Sequence, residues 1–138
     1  MLFRSVPGDA GRFTDDAFHS TGIVAADVKR RLADGDASDV GGRMDAGRAL
    51  RSDDAADAYR FKTPTLRDVA RSAPYFHDGS VASLREAVEQ MARGGVPNKF
   101  LDKTNLEDRK LTPEQISDVV EFLNALTEPR ALREAKVP

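Results

Sequence analysis

The sequence predicts a mainly α-helical domain with long irregular loops. Two stretches carry helix-start chemistry followed by an apolar stripe: Ser83 with Glu86, and Thr112 with Pro113 and Gln115. Between residues 25 and 60, by contrast, Asp, Arg, Ala and Gly dominate with little periodicity, as in a long surface excursion. At 138 residues the chain sets a prior of one domain. A chain of this size buries about two-thirds of the surface its unfolded form exposes.

Composition excludes several classes. Lys and Arg number 21 against 23 Asp and Glu, a net charge of −2, so nothing draws the chain to nucleic acid or an anionic membrane. Aromatic residues are 7% and Trp is absent, which predicts a modest core. With no cysteine, the sequence gives no disulfide evidence about compartment. No stretch approaches the roughly eighteen consecutive apolar residues of a membrane span. Residues 1–11 lack the apolar run of a signal peptide. There is no Gly-x-Gly-x-x-Gly, no phosphate loop, and no serine–histidine–carboxylate pattern beyond chance.

Residues 12–24 read as an extended loop with turn chemistry at Ser20-Thr21-Gly22. His19 within it could be a ligand, a general base or a turn residue, and the turn reading is preferred. The excursion that follows is expected to hold one short helix near Ala25–Leu32, anchored by Val28 and Leu32 one turn apart. Pro64 then pushes Thr63 out of the helical region, so the chain comes in extended. Thr65 is placed to cap a short helix with Leu66, Val69 and Ala70 on one face, ended by Pro74. Ala73 to Gly79 is a tight, partly aromatic turn reversing at Asp78-Gly79.

Ser83 and Glu86 form a capping box, and Leu84, Ala87, Val88 and Met91 recur on one helical face. Arg93 and Gly94-Gly95 close that helix with a cation at the negative dipole end and a left-handed cap. Residues 96–111 are a polar connection from which Phe100, Leu101 and Leu106 fold back onto the core. Thr112-Pro113-Glu114-Gln115 starts a final helix with Ile116, Val119, Val120, Leu123 and Leu126 on one face, ending near Thr127. It is expected to pack on the helix that Ser83 starts. Residues 130–138 read as a loose tail.

Two side chains in the middle stretch carry possible chemistry. The thioether of Met91 is a soft ligand for iron or copper, and the imidazole of His77 suits iron, copper or zinc. At the end of an apolar stripe, a Met is also an ordinary core filler. A loop His beside Asp-Gly is also an ordinary hydrogen-bonded turn residue.

The stretch FKTPTLRDVARSAPYFHDGS, followed by the S-L-x-E-A-V-E-x-M helix, resembles the C-terminal haem domain of bacterial di-haem cytochrome c peroxidases, including their methylamine-utilisation relatives. The resemblance reaches back to Phe13-Thr14-Asp15, Phe18-His19-Ser20-Thr21-Gly22 and Asp45-Ala46-Gly47-Arg48. It runs forward to Leu111-Thr112 and Val120-Glu121-Phe122-Leu123. It implies a cytochrome c-like helical domain over residues 12–129. It implies haem c as cofactor, with Met91 as distal iron ligand fourteen residues after His77. Thioether ligation favours ferrous iron and raises the potential, as suits a haem that receives electrons. His77, Tyr75, Phe76, Phe18 and Arg67 would shape the pocket. For Arg67 two readings stand side by side: partner of a haem propionate, or a cation bonding a nearby carbonyl.

The resemblance further implies a calcium ion held in part by the main-chain carbonyls of Ser72 and Pro74. Its implied partners are an N-terminal peroxidatic haem domain of the same parent protein and a small electron-donor redox protein. A homodimer is compatible with it, and the implied location is the periplasm. The implied reaction of the parent is reduction of hydrogen peroxide to water.

One departure is large. Without cysteine there is no Cys-x-x-Cys-His motif to attach haem. In its place stand residues 1–11, read as an artefact or a disordered leader; Leu2-Phe3-Arg4-Ser5 is also what the end of a common sequencing adapter encodes. The favoured expectation is an inactive, N-terminally truncated piece of such a peroxidase. The alternatives are a haem-free structural or interaction module of the same fold, and a single-haem electron carrier.

Overall fold

The computed structural model describes residues 11–23 and 46–128. The helix expected at Ala25–Leu32, residues 1–10 and the tail 130–138 lie outside them. Among the described residues there are three α-helices, α1 (Ala49–Ser52), α2 (Leu84–Ala92) and α3 (Pro113–Ala125). A two-stranded antiparallel sheet joins β1 (Phe18–His19) to β2 (Phe61–Lys62), with Phe18 opposite Lys62 and His19 opposite Phe61. Single 3-10 turns occur at Ala55–Asp57 and Val69–Arg71.

The two long helices form where their caps dictate. The Ser83 hydroxyl accepts the Glu86 N–H, and the Glu86 carboxylate accepts the Ser83 N–H. Thr112 and Gln115 repeat the arrangement, with Pro113 in the first turn, where its missing N–H costs nothing. Helix α2 ends in a Schellman motif: Gly95 N–H donates to Gln90 O and Gly94 N–H to Met91 O. Both glycines have positive φ, 85° and 83°.

The capped helices pack against each other. Val88 of α2 meets Ile116 and Leu123 of α3 in a buried cluster, with Leu66, Val69, Leu84, Leu111, Val120 and Leu126 packed against it. Burying each such side chain contributes about 1.5–3 kcal/mol. From the 96–111 connection, Leu106 is buried and Phe100 lies on the buried ring of Tyr59, centroids 4.4 Å apart.

Two local expectations change. The helix predicted from Thr65 is a turn and one 3-10 turn. The Thr65 hydroxyl does accept the Arg67 N–H, but Asp68 adopts φ +60° and breaks the run. Tertiary bonds hold it there: Asp68 N–H donates to Leu126 O, and the Asp68 carboxylate accepts Glu128 N–H. The 12–24 loop contains β1, because its backbone pairs with a strand more than forty residues away.

That segment is also docked on the 96–102 connection. Val96 N–H donates to Thr21 O and Asp102 N–H to Ser20 O. The backbones approach so closely that a Cβ on Gly22 would stand 1.9 Å from Val96 O, and one on Gly95 2.5 Å from Thr21 O.

Candidate functional site

The turn from Ala73 to Gly79 sits between β2 and α2 and is held at both ends. Ala73–Pro74 is a cis peptide. Tyr75 N–H donates to Val81 O at 2.7 Å and forms an isolated bridge with it. The Tyr75 ring is buried, its hydroxyl donating to Val69 O at 3.1 Å, and burial raises its pKa. Phe76 takes φ +67° and is half-buried. The imidazole of His77 stacks on Phe61, centroids 3.9 Å apart. Asp78 accepts the Ser80 N–H; burial works against its ionised form, but these hydrogen bonds win and hold its pKa below the usual carboxylate value.

The other expected site residues are each held by a different neighbour. Met91 is half-buried in the last turn of α2. Phe18 of β1 lies under Arg48, whose guanidinium carbon is 4.4 Å from the ring centroid and whose Nε reaches Asp57 at 2.8 Å. Arg67 is exposed, donates from Nε to Gly11 O at 2.7 Å, and lies 5.4 Å over the Phe13 ring. It thus makes the carbonyl-bonding contact that was one of its two readings. Ser72 and Pro74 are exposed, and the Ser72 hydroxyl donates to Val69 O.

A polar cluster around His19 was only half legible in the sequence. His19 is no simple turn residue: its Nδ1 is 2.8 Å from Asp102 and its Nε2 is 2.7 Å from Asp15. Burial pulls the imidazole toward its neutral form, but the bonds to Asp102 and Asp15 outweigh it and raise its pKa above the ordinary histidine value. Both carboxylates shift downward. Burial alone would raise them; hydrogen bonds from Thr63 and Ala17 to Asp15, and from His19 and Asn105 to Asp102, prevail. An i, i+4 Asp–His pair was visible in the sequence, but Asp102 is 83 positions away from His19.

As a donor set for iron, this is one-sided. Met91 supplies a soft sulfur. Of the two histidines in the chain, His19 has both nitrogens engaged by carboxylates and His77 lies flat on Phe61. Covalent haem attachment needs cysteine, and there is none. The residues present therefore offer one soft sulfur that could hold iron and do not fit the covalent attachment of haem. Among the described residues, no group of three or more His, Cys, Asp or Glu is arranged to hold a metal ion. None of the described helices is long and apolar enough to cross a membrane.

Known proteins resemble the chain over most of its length. It is 30% identical over 128 residues to the methylamine utilization protein MauG of Methylorubrum extorquens, an alignment covering 92% of this chain and 32% of that protein. It is 38% identical over 82 residues to the cytochrome c551 peroxidase of Nitrosomonas europaea, covering 59% of this chain and 21% of that one. The cytochrome c551 peroxidase of Pseudomonas aeruginosa is 36% identical over 83 residues. The crystal structure of a MauG-like protein associated with microbial copper homeostasis superposes with a TM-score of 0.62 at 26% identity, covering 87% of this chain and 37% of that chain. No family model matches. The chain thus spans about a third or less of the length of these curated relatives.

Proposed function

The chain belongs to the family of MauG and the bacterial cytochrome c peroxidases, and from that premise we propose that it forms the methionine-ligand side of that family's electron-transfer haem domain, with a cytochrome c-like fold. The observation that carries this reading is Met91, a half-buried thioether at the end of a doubly capped helix, in a stretch that resembles the family's haem domain. A bound haem c would supply one-electron chemistry. The attachment cysteines and proximal imidazole would come from outside these 138 residues.

The chain's own residues then have distinct tasks. The Met91 sulfur would hold the haem iron, and thioether ligation would favour its ferrous state. Tyr75, Phe76 and the stacked Phe61–His77 pair would shape the pocket wall. Phe18 and Arg67 would line the same pocket. The carbonyls of Ser72 and Pro74, on an exposed turn, are hard donors suited to calcium. In this reading the parent protein is periplasmic and reduces hydrogen peroxide. A small redox protein supplies the electrons, which reach a peroxidatic haem domain through this one.

A second reading, a haem-free module of the same fold, is favoured by the absent cysteines and by the engagement of both histidines. One experiment separates the two. The chain is joined to an upstream Cys-x-x-Cys-His segment and produced in a host that matures c-type cytochromes. The electron-transfer reading predicts covalent haem in a folded, redox-active product. A folded product that takes up no haem supports the module.

A further inference from the structure

A neutral imidazole has one N–H and one lone pair. It can donate to one carboxylate, and its other nitrogen then faces a second carboxylate lone pair to lone pair. In this protein both nitrogens of His19 sit at donor distance from carboxylate oxygens, 2.8 Å to Asp102 and 2.7 Å to Asp15. Neither carboxylate is free to turn away. Asp102 also accepts from Asn105, at 2.9 Å from the side-chain amide and 3.3 Å from the backbone N–H, while Asp15 accepts Ala17 N–H at 3.0 Å. The three side chains are recessed, at 13% (His19), 22% (Asp15) and 6% (Asp102) exposure.

We propose that His19 is held as an imidazolium between Asp15 and Asp102, a proton-dependent clasp that locks residues 11–23 onto the 96–106 connection. The clasp lies beside the backbone bonds from Val96 to Thr21 and from Asp102 to Ser20, and strengthens a seam those bonds begin. Charges from the packed elements do not replace it. Asp16, next to Asp15, is taken up by Arg12 of its own segment and Lys62 of β2. On β2 the residue opposite His19 is the apolar Phe61, with His77 stacked on it. On the 96–106 side Asp102 is the facing charge, its other partner Asn105 is uncharged, and Lys103 follows it in sequence.

The sign follows from the directions of the shifts. The folded pKa of His19 is raised, so the clasp is complete below the ordinary histidine value of about 6.5 and is lost as pH rises through the higher folded value. The carboxylate pKa values are lowered, so on the acid side it is lost only as pH falls through those depressed values.

The test is a ring-nitrogen NMR titration of the 138-residue chain, native and in urea, with Asp102→Asn and His19→Gln variants. The native chain should show both ring N–H groups of His19 at about pH 7. Its proton affinity should be higher than in urea, and Asp102→Asn should remove most of that gain. Protection of the Val96 and Asp102 amides, corrected for intrinsic exchange, should fall with rising pH in the native chain and stay flat in His19→Gln. A single ring N–H at neutral pH, or a native affinity equal to or below that in urea, overturns the proposal. The titration of the unmutated chain decides even if a variant fails to fold.

Discussion

The imidazole of His77 lies flat against Phe61, ring centroids 3.9 Å apart and planes 14° from parallel. Strand β2 and the turn before α2 are thereby joined through a pair of aromatic faces. Stacked pairs contribute about 0.5–1.5 kcal/mol beyond their buried area. Phe61→Ala and His77→Ala should each destabilise the chain, and a double-mutant cycle in urea should return a coupling of about 1 kcal/mol. A coupling near zero would mean that the rings merely lie side by side.

Gly22 should be the least replaceable glycine in the N-terminal segment. Its φ of +74° disfavours any side chain, and a Cβ there would stand 1.9 Å from Val96 O, a backbone atom with nowhere to go. Gly22→Ala should cost about 2 kcal/mol or more, combining strain and a broken seam. Gly79→Ala, whose nearest obstacle is Pro74 Cγ at 3.2 Å, should cost less. Comparing the two urea midpoints checks the ranking.

Helices α2 and α3 should respond to their caps and to their shared core by different amounts. Ser83→Ala and Thr112→Ala each remove one capping acceptor, worth about 1 kcal/mol. Leu123→Ala opens a cavity in the Val88–Ile116–Leu123 cluster and should cost about 2–5 kcal/mol. Circular dichroism melts of the three variants give the order directly.

These helices were legible in the sequence because everything that starts and stops them is local. Ser83 finds Glu86 three residues on, and Gly94-Gly95 waits at the other end. The spacing of Leu84, Ala87 and Val88 was equally readable, and it led to Met91. What the sequence hid depends on contacts between distant residues. Strands β1 and β2 are two residues each, too short for any alternation, and exist through each other. Asp68 breaks the helix expected from Thr65 because Leu126 and Glu128 hold it left-handed. His19 looked like a turn residue until Asp102 arrived from 83 positions away.

Acid should weaken the fold in a defined way. The pKa values of Asp15, Asp78 and Asp102 are all lowered, so their ionised forms stabilise the folded chain above the ordinary carboxylate value of about 3.9. That contribution is lost as pH falls through the depressed folded values. The melting temperature should therefore drop below about pH 4, and Asp102→Asn should show a shallower drop. Thermal melts across the acid range read both slopes.

The most direct measurement is made on the haem-bearing form of the chain, produced with an upstream attachment segment, with Met91 intact or replaced by Ala. The account predicts a near-infrared sulfur-to-iron absorption band with Met91 in place. In Met91→Ala that band disappears and the reduction potential falls. An identical spectrum and an identical potential in the two proteins would contradict it.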